Sequence, residues 1–415
     1  MCIFKITVLR LPSGQLRMAC VGEIMTNSKT VINSIIVGVL FILGLQGCER
    51  PKSPEPKKSA SAMSRENRLA RYSTASNRLA CLSDMQLNDL LKTATQLSVG
   101  YGENVALSVD GVPVFIKKVP LTDLELKPEN IRSTANIFNL PTFYQYGIGS
   151  AGFGAWRELA ANVMITNWVL TGQCENFPIM YHFRVLPGIM PKIDEVEQKA
   201  DLEESVKFWD NSPAVRTRLQ ALTDSSHFVI IFLENIPTRL NVWLDEQFTK
   251  GTDAVDTAAL MIEKNLEATT KFMAAHGMYH FDAHFSNIMT DGCRLYFADM
   301  GLATSIYFDL SPEEITFVSQ HKTYDQFYTR ANFAGELIQR LVKSREEFKT
   351  MIAEYGRGKQ DMIFSPIVTS MLKKYAPSSV IRDEFYNQLF KISKSSPYPA
   401  QAIEALDAVS IAKNK

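Results

Sequence analysis

The chain has 415 residues, 46% of them apolar and 21% charged, and its 44 basic and 44 acidic side chains cancel to a formal net charge of zero. This balance excludes a disordered polyelectrolyte and a basic nucleic-acid coat, so no nucleic-acid partner is expected. The apolar share is enough for a sizeable core in one large bilobal unit or two domains. Only residues 31–45 are apolar enough to consider for a membrane, which excludes a polytopic membrane protein, and the six cysteines form no C-x-x-C pair, which points to a reducing compartment.

Residues 31–45 (VINSIIVGVLFILGL) form a run shorter than the roughly 20 residues of a spanning helix and close to a signal-peptide core. The run ends in Leu45-Gln46-Gly47-Cys48, which resembles the bacterial lipoprotein cleavage box, and a start at Met25 makes Lys29 its positive flank. The competing reading is a short N-terminal anchor, because Arg50, Lys52, Lys57, Lys58, Arg65, Arg68 and Arg71 follow it and favour a cytoplasmic domain. Either reading makes residues 1–48 the membrane attachment, with a purely cytoplasmic protein as the alternative. The Pro-, Ser- and Lys-rich stretch that begins at Glu49 predicts a disordered linker over 49–82.

From residue 83 the pattern is globular. A helix is expected over 85–97, then strands over 105–109 and 114–119 about Asp110-Gly111, a strong hairpin signal. Apolar period predicts a helix over 155–170, and FVIIFL at 228–233 predicts a strand. Beyond residue 252 nearly everything except a strand at 294–298 reads as helix: 257–275 stopped by Gly277, one capped by Ser311-Pro312-Glu313-Glu314, then 324–342, 346–355, 381–392 and 400–412. The coarse result is an α+β chain, with a small β-rich part over 83–237 and a larger helical part over 238–415.

One constellation carries chemistry. His280-Phe281-Asp282-Ala283-His284-Phe285-Ser286-Asn287 follows the 257–275 helix, and Asp299-Met300-Gly301 follows the next strand. Asp282, Asn287 and Asp299 offer hard oxygen donors on loops about one hairpin, a set suited to Mg²⁺ and its phosphates. The pattern H-x-D-x-H-x-x-N followed by D-x-G resembles the catalytic and metal loops of the protein-kinase-like superfamily.

The resemblance implies a bilobal fold with a β-rich N-lobe and a helical C-lobe, and an ATP- and Mg²⁺-dependent phosphotransferase. It implies that Asp282 receives the hydroxyl proton and that Asn287 and Asp299 hold the metal. In Val114-Phe115-Ile116-Lys117, similar to the V-A-I-K strand, Lys117 would meet the α- and β-phosphates, with Glu158 as its ion-pair partner. Gly100 and Gly102 would lie over the phosphates, and Glu234 would open the hinge whose backbone meets adenine. Phe281 stands in place of the arginine of H-R-D and no A-P-E follows, so control by activation-loop phosphorylation is not expected. His284 makes the motif similar also to aminoglycoside, choline and lipopolysaccharide-core kinases. A protein acceptor is placed first and a small molecule or glycolipid second, with an inert pseudokinase scaffold as the alternative from another class.

Two further readings stay open on the residues alone. Gly147-Ile148-Gly149-Ser150-Ala151-Gly152 matches the dinucleotide fingerprint G-x-G-x-x-G literally, and His280 with His284 form an i, i+4 pair that would bind zinc on a helix.

Overall fold

The computed structural model describes residues 6–10, 16–20, 63–99, 103–188, 195–359 and 361–413. The expected anchor at 31–45, Cys48 and the linker through residue 62 lie outside the described residues. In the unit Cys2–Ala60, β1 (Ile6–Arg10) and β2 (Leu16–Cys20) pair antiparallel. The remaining elements belong to the unit Ser61–Lys415 and form a mixed α+β structure.

That unit begins earlier than the sequence pattern suggests, with helix α1 (Arg65–Ala80) inside the stretch expected to be linker. Ser64 caps it by accepting a hydrogen bond from the Asn67 amide at 3.3 Å. Ala75 and Leu79, four apart and fully buried, turn one face onto the sheet. Helix α2 (Asp84–Lys92) starts in a capping box between Ser83 and Gln86 but stops at Lys92, short of the expected residue 97. The segment Thr95–Val99 becomes strand β3 instead, because β-branched Thr95 suits a pleated edge and β4 offers a partner for the backbone.

Strands β4 (Glu103–Val109) and β5 (Val112–Leu121) meet at Asp110-Gly111, whose φ values of 45° and 82° make the two-residue turn the sequence predicts. Helix α3 (Ala155–Leu170) has the expected bounds. It is followed by β6 (Met180–Pro187), α4 (Glu195–Phe208), α5 (Pro213–Thr223) and β7 (His227–Glu234). The sheet order is β3-β4-β5-β7-β6, antiparallel throughout. The glycine segment at 147–152 therefore enters α3 without the parallel β-α-β unit that a dinucleotide site needs, which removes that alternative.

After β8 (Thr238–Arg239) come α6 (Leu240–Lys250) and α7 (Thr252–Ala275), ended at Gly277 with φ 66°. Short strands β9 (Met278–Tyr279), β10 (Ile288–Thr290), β11 (Leu295–Phe297) and β12 (Thr304–Ser305) form small antiparallel ladders that fix the intervening loops. Helices α8 (Pro312–Gln320), α9 (Tyr324–Gln339), α10 (Arg345–Gly356), α11 (Pro366–Lys391) and α12 (Ala400–Lys413) complete the chain, α8 with the expected Ser311–Glu314 capping box. Helix α11 begins well before the 381–392 stretch that the sequence pattern predicts and runs through Pro377. Burial of Leu372, Tyr375 and Ala376 and the Ser379 hydroxyl, which donates to the Ala331 carbonyl at 2.7 Å, outweigh the lost backbone bond. Among the described residues no helix is long and apolar enough to cross a membrane.

Candidate active site

Alternation along β5 divides its side chains between two environments. Val114 and Ile116 are fully buried in the cluster that holds Ala75 and Leu79 of α1, while Phe115, Lys117 and Val119 point to the opposite face, which α3 covers with Trp156 and Leu159. Lys117 is thus delivered inward beneath α3. Its ammonium lies 2.5 Å from Glu158 Oε1, in the first turn of α3, and 2.7 Å from Asp299 Oδ1. Residues 41 and 182 positions apart in sequence are joined through one nitrogen.

The loop after β9 owes its shape to a residue that no motif marked. Asp325, in the first turn of α9, accepts from the His280 amide at 2.6 Å and from the Phe281 amide at 3.0 Å. Phe281 has φ 61°, a left-handed conformation unusual for an aromatic residue, and its ring is fully buried 4.8 Å from that of Tyr324. The His280 Nε2–H donates to the Ala298 carbonyl at 2.8 Å, which ties this loop to the end of β11, and Nδ1 accepts from the Asp282 amide at 3.3 Å. Asn287 Nδ2 donates to Asp282 Oδ2 at 2.9 Å, and the Ala298 amide donates to the Asn287 carbonyl. Asp299 follows at once, also left-handed with φ 60°, its Oδ1 accepting from the Gly301 amide at 3.3 Å. Asp282, Asn287 and Asp299 are therefore held by a continuous set of hydrogen bonds.

The charges are unequal in kind. Burial raises the Asp282 carboxyl to about 8, and the Asp299 carboxylate adds to that rise. Burial also opposes ionisation of Asp299, but the Lys117 ammonium outweighs it and holds that carboxyl far below the usual range. Lys117 itself would be lowered by burial, yet Asp299 and Glu158 hold it above its ordinary value. Two acids in one cleft are so driven apart, one ionised and one protonated at neutrality. Burial lowers His284 to about 4, so it is neutral, with Nε2 3.8 Å from Asp282 Oδ1.

Among the described residues no group of three His, Cys, Asp or Glu side chains is arranged to hold a metal ion. The zinc alternative loses its support, since His280 is committed to the Ala298 carbonyl and the pair sits on a loop rather than a helix. Mg²⁺ is a different case, because it takes one or two protein oxygens and completes its shell with phosphates and water. Asp299 offers a carboxylate oxygen at the cleft, and Asn287 Oδ1 is a donor of the same hard kind on the adjoining loop.

The site opens into a cleft of about 70 Å³ bounded by Lys117, Glu158, Asp282, Asp299, Gly152 and Arg218. Glu234 is not brought to it: its carboxylate is turned into the protein, bound by Arg68 Nη2 at 2.6 Å and Nε at 2.9 Å, and its amide donates to the Ile179 carbonyl at 2.8 Å. Gly100 and Gly102 lie outside the described residues. Sequence reasoning missed Asp325, Arg68 and the approach of Gly147 and Gly152 to the two acidic loops. Of these only the glycine segment left a signal, the literal fingerprint at 147–152. No family model matches the chain, and no curated protein matches it.

Proposed function

We infer that the protein is a phosphotransferase of bilobal, protein-kinase-like build that moves the γ-phosphate of Mg²⁺-bound ATP to a hydroxyl. The observation that carries this reading is Lys117 held between Glu158 and Asp299, with Asp282 and Asn287 on the adjoining loop. Phosphoryl transfer asks of a protein chiefly position and charge. Lys117 supplies a fixed ammonium for the phosphates, and Glu158 keeps it from folding onto Asp299 alone. Asp299 and Asn287 would hold Mg²⁺, which when bound neutralises phosphate charge. Asp282 orients the acceptor hydroxyl and takes its proton in its ionised form, which burial and Asp299 oppose and which the Asn287 hydrogen bond and Lys117 favour, so transfer quickens as pH rises toward about 8. Residues 1–48 would attach the protein to a membrane, by a lipid on Cys48 or as a short anchor, which the mass of the native amino terminus distinguishes.

A catalytically inert scaffold that binds partners is the second reading, favoured by one observation: the Glu234 amide is spent on Ile179 rather than offered to a base. Incubation with Mg²⁺ and γ-labelled ATP separates the two. Label in an acceptor supports the phosphotransferase, whereas a nucleotide-induced thermal shift with no label transfer contradicts it.

A further inference from the structure

The segment between β5 and α3, residues 122–154, contains no regular element beyond two single 3₁₀ turns, yet it is fixed along its length. At its start Glu125 accepts from the Thr122 amide and hydroxyl at 3.0 and 2.7 Å and from the Ala155 amide at 2.7 Å, and it pairs with Arg218 of α5 at 3.0 Å, both side chains 1% exposed. In its middle Phe138, Leu140, Tyr144 and Phe153 pack with Val206 of α4, Trp209 just beyond it and Leu219 of α5. Toward its end the Tyr146 hydroxyl meets His321 Nε2 at 2.8 Å, and the Gln145 amide donates to the Leu302 carbonyl. This strap is anchored to the sheet side and to the helical side at once.

Its glycines touch the acidic loops. A Cβ built on Gly147 would lie 2.9 Å from Asp282 Cγ and 3.2 Å from the Phe281 carbonyl oxygen, and one on Gly152 would lie 2.5 Å from the Gly301 carbonyl oxygen. The Ala151, Gly152 and Ala155 amides are already spent on Tyr144, Ser150 and Glu125, so the strap is no phosphate cradle. What remains between it and Asp282 is the small cleft.

We propose that the strap is the acceptor-side wall of the site, that Gly147 positions Asp282 by leaving its carboxylate one place to stand, and that the wall admits a small hydroxyl compound and shuts out a polypeptide. The inference rests on the phosphotransfer reading and reverses the order of acceptors expected from sequence. A peptide serine or threonine brings extended backbone on both sides, and main chain at Gly147 already covers that face of Asp282. A compact acceptor needs only its oxygen within reach. That oxygen bonds to the γ-phosphorus as the bond from phosphorus to the β–γ bridging oxygen breaks. ADP leaves with the electron pair, and the hydroxyl proton passes to the carboxylate form of Asp282.

The test uses the full chain, Mg²⁺ and γ-labelled ATP, with the low-molecular-mass ultrafiltrate of a cell extract and its retained proteins as separate acceptors. Label entering the ultrafiltrate compounds and not the proteins is the expected result. Label entering the retained proteins or the chain itself overturns the proposal while leaving phosphotransfer intact, and no transfer to either fraction overturns both. Gly147→Ala is then expected to lower kcat about a hundredfold with the KM for ATP unchanged in the folded variant, since a displacement of about 1 Å at a reacting group has that effect. Unchanged kcat in that folded variant overturns the role of Gly147, and the acceptor experiment needs no variant to fold.

Discussion

Asp282→Asn should weaken catalysis and strengthen the fold, and the size of the second effect follows from the site. A carboxyl raised to about 8 by burial and by Asp299, against 3.8 for an ordinary aspartate, keeps its proton in the folded chain long after the unfolded chain has released it. Stability is therefore lost as pH rises from about 4 to about 8 and is level beyond. At about 1.4 kcal/mol for each pH unit the loss has a ceiling near 6 kcal/mol, and the 15% exposure of the side chain, which admits some water, brings the expectation to about 2–4 kcal/mol. Asparagine has the same shape, can still accept from Asn287 Nδ2 and has no proton to lose. Denaturant unfolding in chelator at pH 4, 6 and 8, with m-values compared, should show the variant equal to the native chain at pH 4 and more stable by that amount at pH 8. A gain of the same size at both pH values, or a loss at pH 8, would refute the reasoning. Absent phosphotransfer in the stabilised variant would complete the picture of a site that trades stability for function.

Two further outcomes concern the supports of the site. His321 donates from Nδ1 to the Phe317 carbonyl at 2.6 Å and is pushed down to about 4 by burial, so the unfolded chain takes up a proton below pH 6.5 that the folded chain refuses. Its share of stability, about 3 kcal/mol, should fade as pH drops from 6.5 to 4, and thermal melting of His321→Gln should lack that part of the slope. Arg68→Met leaves the Glu234 carboxylate buried without its partner and should cost about 3–5 kcal/mol in denaturant unfolding. Adding Glu234→Gln should recover part of it, and additivity of the two changes within about 0.5 kcal/mol would contradict the pairing.

The local elements were legible where the signal is local. Asp110-Gly111, the α3 bounds and the Ser311 cap rest on turn and capping chemistry within a few residues, and the sequence pattern predicts them correctly. The approach of Lys117, Glu158, Asp282, Asn287 and Asp299 was readable only because motif spacing ordered them. Helix α1 was not legible. Its arginines suggest a solvated, membrane-proximal flank, yet Arg68 is wholly buried against Glu234 and the Phe177 carbonyl, and only a partner 166 residues away makes that stable. Asp325 escaped for the same reason: its role is to receive two amides from a loop 44 and 45 positions earlier. Residues 95–99 fit helix or strand equally until β4 is beside them.

Calorimetric titration of ATP into the native chain and into Asp299→Ala, each with and without Mg²⁺, bears most directly on the convergence of Lys117, Asn287 and Asp299 around a metal-bound triphosphate. The native chain should bind ATP at least about tenfold more tightly when Mg²⁺ is present, and the folded variant should lose that difference. Equal enhancement by Mg²⁺ in both proteins would contradict it.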